Sequence, residues 1–205
     1  MFFSFDGIDG VGKSTQVRLF EESLRANDFD VVICRDPGST PLGERIRDLL
    51  LSIDESTPIG CRSEMLLYMA ARAQLVEQVI QPALAAGKVV VADRYLLANV
   101  VYQGHAGSLS PQQIWQVGEI ATGGLMPSCV FVLDMSIEQA NCRMNRSLDR
   151  MESRGDEYRE RVRAGFLEEA SRAPKQIHLI DASRPIEAVQ ADIWRIAAKL
   201  LNVVA

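Results

Sequence analysis

The segment Gly7-Ile8-Asp9-Gly10-Val11-Gly12-Lys13-Ser14-Thr15 constrains this chain more than any other part of it. It has the form G-x-x-x-x-G-K-[ST] of a phosphate-binding loop, and its surroundings suit that reading. The apolar run Phe2 to Phe5 before it reads as a strand. After it, apolar Val17, Leu19, Phe20 and Leu24 interleave with polar Arg18, Glu21, Glu22 and Arg25, the pattern of an amphipathic helix. Glycines let the backbone curl so that successive N–H groups face one polyphosphate, and the positive end of the following helix adds to the attraction. In such a loop Lys13 reaches the β- and γ-phosphates, and the Ser14 hydroxyl is the expected Mg²⁺ ligand. Each residue from Gly7 to Thr15 is therefore a candidate contact for a nucleoside triphosphate.

The remaining chain sets the frame. Its 205 residues suffice for one domain with a full core. A net charge of −5 argues against nucleic acid as the main partner, because phosphate backbones reward a basic surface. Cys34, Cys61, Cys129 and Cys142 show no C-x-x-C spacing, and Cys34 and Cys129 sit in apolar strand-like runs, as reduced core cysteines do. The amino terminus has no basic region ahead of its apolar run, and no apolar stretch is long enough to span a bilayer. These features together predict a cytoplasmic protein with no nucleic-acid or membrane partner.

Strand-like runs at Phe2–Phe5, Val31–Cys34, Val89–Ala92, Cys129–Leu133 and Ile177–Ile180 alternate with helical patterns. The runs are continuously apolar, as parallel strands buried on both faces are. Ser110-Pro111-Gln112-Gln113 and Ser136-Ile137-Glu138-Gln139 read as capped helix starts, and Ser183 and Pro185 open a last amphipathic helix to about Leu201. The expected architecture is α/β, a five-stranded parallel sheet flanked by helices on both faces, with ligands at the carboxyl ends of the strands. No repeat, low-complexity stretch or linker divides residues 1–205.

Those strand ends carry the polar chemistry. Val89-Val90-Val91-Ala92-Asp93 is an apolar run closed by an acid, the Walker B pattern that brings a carboxylate near Mg²⁺. Arg35 and Arg94 close adjacent strands and suit a second phosphate, although ion pairing with Asp36 and Glu44 would explain Arg35 as well. Arg143, Arg146, Arg150 and Arg154 recur at helical spacing among Asp149, Glu152, Asp156 and Glu157. Two readings remain open for that run: a solvated, salt-bridged helix face, or a lid that closes arginines over a nucleotide. His105 reads as a loop residue and His178 as a structural one.

Beyond these single motifs, Arg35-Asp36-Pro37-Gly38-Ser39-Thr40-Pro41-Leu42-Gly43-Glu44, Ala71-Arg72-Ala73-Gln74-Leu75-Val76-Glu77, Asp93-Arg94-Tyr95, Tyr102-Gln103-Gly104 and Asp149-Arg150-Met151-Glu152 follow the phosphate loop in order. With the closing Ile180-Asp181-Ala182-Ser183, they make the chain resemble the bacterial thymidylate kinase family over nearly its whole length. The resemblance implies a P-loop NTPase fold with a small helical lid at about 141–156. It implies ATP and dTMP as substrates, Mg²⁺ as cofactor, and a homodimer through the helices near Glu64–Ala86. By the same resemblance Asp9 helps place the acceptor phosphate and metal, and Arg35 and Arg94 clamp the dTMP phosphate. Arg72 donates to a thymine carbonyl, Gln103 meets the base edge, Tyr102 crowds the sugar 2′ position, and Tyr68 stands where a stacking phenylalanine is usual.

The chain departs from the family pattern in places. Asp36 replaces a glutamate, Ser39 a glycine and Asp6 a glutamate, while Ala98 stands where a serine or threonine is common. Gly10 occupies the position at which another branch carries a loop arginine. The resemblance then assigns the catalytic arginine to the lid, to Arg146 or to Arg143. A dTMP phosphate has a second pKa near ~6 and is mostly a dianion at neutral pH, so no general base is needed. A kinase for another nucleoside monophosphate is the nearest rival. A GTP-dependent switch lacks support, because no lysine heads an N/T-K-x-D segment.

Overall fold

A computed structural model describes residues 1–52, 56, 58–144 and 155–203. Five parallel strands, β1 (Phe2–Asp6), β2 (Val31–Arg35), β3 (Val89–Asp93), β4 (Cys129–Asp134) and β5 (Ile177–Asp181), form one sheet in the order β2-β3-β1-β4-β5. Each runs one residue past the apolar stretch expected from sequence. The backbone ladder does not end where hydrophobicity does: Arg35 still pairs with Asp93, and Asp134 with Asp181. Charged side chains therefore line the carboxyl edge while their backbones stay in the sheet.

Alternation along β1 feeds two cores. Phe3 and Phe5 meet Phe20 and Phe131 with ring centroids 5.1 to 6.1 Å apart, and Phe2 meets Tyr95 edge-on at 5.0 Å on the other side. Each fully buried ring of this kind contributes about 1.5–3 kcal/mol relative to exposure. Helices α1 (Lys13–Ala26) and α9 (Ile186–Leu201) pack with the Phe3–Phe5 side, and α3 (Cys61–Leu75), α4 (Gln81–Ala85) and α6 (Pro111–Thr122) with the Phe2 side. The other described helices are α2 (Pro41–Leu51), α5 (Leu96–Asn99), α7 (Ile137–Arg143) and α8 (Asp156–Arg172).

Helix boundaries refine the sequence reading. Thr40 caps α2 by accepting from Gly43 N at 2.9 Å, and Ser136 caps α7 by accepting from Gln139 N at 3.2 Å. Ser110 precedes α6 without a capping bond from its side chain, and Ser183 does not open α9. Instead the Ser183 N–H donates to Asp181 Oδ1 at 3.0 Å, and the helix starts at Ile186. Two helical runs contain a wide π turn. Val76–Ile80 joins α3 to α4, and Val100–His105 extends α5, with Ala106 N donating to Val101 O at 2.9 Å. His105 is thus not in a loop; it ends the second π turn and pairs with Glu169 at 2.7 Å. His178 lies in β5 against Phe131. Among the described residues, no helix is long and apolar enough to cross a membrane.

Candidate active site

The chain leaves β1 at Gly7 and turns through Gly7, Gly10 and Gly12, all at positive φ, before α1 begins at Lys13. At Gly7 a Cβ would stand 2.4 Å from Leu133 O, so both conformation and space require glycine. At Gly10 it would stand 2.5 Å from Ala140 O, which leaves no room for an arginine side chain at that position. Lys13 folds back under the loop and donates to Gly7 O at 3.1 Å, Ile8 O at 2.8 Å and Asp9 Oδ1 at 3.4 Å.

Asp9 is the hub. Arg94 donates to its Oδ1 at 2.6 Å and to Gly7 O at 3.1 Å, Tyr102 donates to Oδ2 at 3.3 Å, and Arg159 reaches the Asp9 carbonyl at 3.1 Å. Burial works to raise the Asp9 carboxyl, but Arg94 and then Lys13 overcome it and hold the group well below the usual carboxylate range. Burial pushes the Lys13 ammonium down, and neighbouring Arg94 adds to that. Arg94 itself sits at φ 69, a left-handed conformation unfavourable for a side-chain-bearing residue. That turn sends Asp93 and Arg94, adjacent in sequence, to separate tasks.

Two cavities meet at this hub. An outer cleft of about 1010 Å³ runs along Gly10–Gln16, past Asp93, to Arg143 and the segment Ala182–Ile186. An inner cavity of about 120 Å³ is lined by Tyr68, Arg72, Ala98, Asn99, Tyr102 and Gln103. Asp9, Asp36, Arg47 and Arg94 line both. Ser14 and Asp93 share the outer cleft, and both offer hard oxygen donors. Among the described residues no group of three or more His, Cys, Asp or Glu could hold a metal alone, whereas a cation arriving with phosphate oxygens needs only one or two protein ligands.

Most of the residues expected from sequence converge here, with differences of detail. Arg35 opens on the outer cleft, not the inner cavity, and its Nη2 pairs with Glu44 Oε2 at 2.9 Å, as the ion-pair reading allowed. Arg72 is buried and already engaged, donating to Asp36 Oδ2 at 2.6 Å and Asn99 Oδ1 at 3.1 Å. Tyr68 lines the inner cavity while packing beside Ile46, Leu50 and Ala71. Ala98 brings no polar atom to the cavity. Ser39 takes φ 60 where a glycine would be unstrained, and its hydroxyl accepts from Arg35 N at 2.8 Å. Arg143 donates to Ala182 O at 3.0 Å across the outer cleft. α7 ends there and Met144 is extended, so the helix face drawn from Arg143 toward Arg146 does not continue through Met144. Arg146, Arg150 and Arg154 lie outside the described residues.

Sequence reasoning missed Arg47, Asn99 and Arg159. Arg47 follows Gly43 by one turn of α2 and donates to Pro37 O at 3.1 Å. Asn99 precedes Gln103 by four residues, the helical spacing of facing polar groups, and that was the available signal. No motif marks Arg159, because its role depends on α8 folding back to the loop.

Asp6 yields a prediction. The residue is fully buried, neither carboxylate oxygen finds a partner, and burial pushes its pKa up from 3.8 to about 7 against the pull of Arg94 and Lys13. Between those values the folded chain holds a proton that the unfolded chain releases, so stability declines as pH rises from about 4 through 7. Asp6→Asn removes that decline. The gap from 3.8 to about 7 corresponds to roughly 4 kcal/mol. In urea unfolding with chelator present, the variant should match wild type near pH 4 and exceed it by a few kcal/mol at pH 8. A pH-independent difference would refute the assignment.

Comparison with known proteins places the sequence and the fold in one family. The family model described as thymidylate kinase matches residues 5–193. A thymidylate kinase of Rhodopirellula baltica is 44% identical over 190 residues, covering 93% of this chain and 77% of that protein. One from an Exiguobacterium strain is 45% identical over 197 residues, covering 94% and 92%. The crystal structure of the Ehrlichia chaffeensis thymidylate kinase superposes with a TM-score of 0.76 at 29% identity, covering 96% of this chain and 97% of that one.

Proposed function

The chain belongs to the thymidylate kinase family, and so is a phosphotransferase with ATP and dTMP as substrates, and we propose that its two cavities hold those substrates end to end. The observation that carries this reading is the junction itself: a large cleft on the phosphate loop and a smaller cavity share Asp9, Asp36, Arg47 and Arg94. ATP lies in the outer cleft with its γ-phosphate over Lys13. The base of dTMP enters the inner cavity, and its phosphate meets Arg94 and Asp9, with Arg35 and Arg47 adding charge at the mouth. Tyr68 flanks the base, and Tyr102 crowds the sugar.

The nucleophile is already an anion, so the residues act by position and charge. Lys13 and the loop N–H groups stabilise the transferring phosphoryl, and the arginines cancel repulsion between donor and acceptor. Asp9 stays ionised at neutral pH and holds Arg94 in line. Ser14 and Asp93 would hold Mg²⁺, which when bound neutralises charge between the phosphates. With no room at Gly10, the further arginine comes from the lid. Arg146 is the first candidate and Arg143 the second, since Arg143 is already tied to Ala182 O.

The continuous sheet supports one domain spanning residues 1–205, with a lid segment at about 141–156. Exposed Leu66 on α3 and Ile120 on α6, helices that pack together, support a homodimer through this side. Exposed thiols at Cys61 and Cys142 favour the reducing cytoplasm.

A coupled assay over nucleoside monophosphates tests the acceptor assignment. dTMP should be preferred, dUMP should fall by roughly 10–200-fold in kcat/KM for loss of one methyl, and UMP should be poor because of Tyr102. Preference for AMP, GMP or a free nucleoside would overturn it.

A further inference from the structure

Behind the inner cavity lies Glu64, in the first turn of α3 and buried to 2% exposure. It does not line the cavity, yet its Oε1 accepts from Gln103 Nε2 at 2.9 Å. From there the bonds continue in one direction: Gln103 Oε1 accepts from Asn99 Nδ2 at 2.6 Å, and Asn99 Oδ1 accepts from Arg72 Nη1 at 3.1 Å. At one end the Glu64 oxygen accepts from an amide NH₂, which can only donate, and at the other a guanidinium only donates. The two ends of the chain therefore fix the orientation of both amides between them.

We propose that Glu64 is a positioning residue that locks the donor–acceptor order of Gln103, and through it the preference for a thymine edge over a cytosine edge. This rests on the reading that the inner cavity takes the base of dTMP. Thymine offers N3–H as donor and O4 as acceptor, whereas cytosine offers N3 as acceptor and its amino group as donor. A freely turning glutamine amide serves either edge by rotating half a turn. Here that rotation would set the Gln103 oxygen against the Glu64 carboxylate and its NH₂ against the NH₂ of Asn99. Neither contact is a hydrogen bond, and the first is repulsive. The cavity thus rejects the reversed edge by a carboxylate that never touches it.

The test measures kcat/KM for dTMP and dCMP in Glu64→Gln, Glu64→Asp and Gln103→Leu, each checked for folding by thermal unfolding. Glutamine at 64 can offer either end of its amide, which permits the turned Gln103, so the dTMP/dCMP ratio should fall about tenfold, the scale of one charge-assisted hydrogen bond. Aspartate keeps an acceptor-only partner and should hold the ratio within about threefold. A Glu64→Gln ratio equal to wild type overturns the proposal, even if both substrates slow, because a merely structural role slows both alike. If Gln103→Leu also leaves the ratio intact, the base-site reading fails with it. If Gln103→Leu collapses the ratio and Glu64→Gln does not, only the role of Glu64 is lost. Should Glu64→Gln not fold, Glu64→Asp decides alone: a retained ratio supports the proposal, and a loss as deep as that of Gln103→Leu overturns it.

Discussion

Lys13→Ala should lower kcat by ~10³-fold or more, at the upper end of what one preorganised donor to a developing anion contributes. The lysine is 8% exposed and is held by two loop carbonyls and the Asp9 carboxylate, so its ammonium is aimed before any nucleotide arrives. Removing it leaves Gly7 and Ile8 oxygens beside an open cleft, where water can take its place, so the melting temperature should drop only modestly. Steady-state rates with ATP and dTMP, beside a thermal melt, separate the two effects. A folded variant with near wild-type kcat would remove Lys13 from the reaction.

Arg94→Ala should damage acceptor handling on both axes, raising KM for dTMP and lowering kcat, for a combined loss in kcat/KM of roughly 10²–10³-fold. Arg94 bonds Gly7 O and Asp9 Oδ1 and lies over the Tyr102 ring at 5.0 Å, so its loss leaves a half-buried carboxylate without its main cation. The Asp9 carboxyl should then titrate higher, and the acid limb of the kcat/KM profile should move to higher pH. Arg94→Gly is a useful companion. It also removes the guanidinium but relieves the left-handed backbone, worth about 1–2 kcal/mol, so a shared kinetic defect with different melting temperatures assigns the defect to the charge. Both constants near wild type in a folded Arg94→Ala protein would dismiss the clamp.

The sheet was legible because burial writes itself into composition: Val89-Val90-Val91-Ala92 can hardly be anything but an inner strand. Its polar ends were legible as chemistry but not as strand, since Asp93 and Arg35 keep their backbone pairing while their side chains leave the core. The phosphate loop was readable for a local reason. Its function lies in consecutive backbone groups, so glycine spacing alone reports it. The inner cavity is different. Arg72 and Glu64 come from one helical run, Asn99 and Gln103 from another, and only the four-residue spacing of the last two shows in the sequence; the bonds between the runs join residues 27 and 39 apart. Arg72 and Gln103 were found only through family resemblance, and Asn99 and Arg47 not at all. The arginine run from Arg143 gave two readings, and the structure bears only on its start, where α7 closes at Arg143 itself.

The engagement of Lys13 with its own loop changes what nucleotide affinity measures. The ammonium is not an idle charge awaiting a ligand; it is already coordinated by Gly7 O, Ile8 O and Asp9. An incoming phosphate therefore competes with the protein for the same protons, and the observed binding constant reports an exchange between two bonded states. Weak or singly charged anions gain little from that exchange, while a triphosphate that also meets the loop N–H groups gains on several contacts at once. The loop thus acts as a threshold, keeping adventitious anions out of a cleft rich in arginine and yielding only to a ligand with enough charge to displace it.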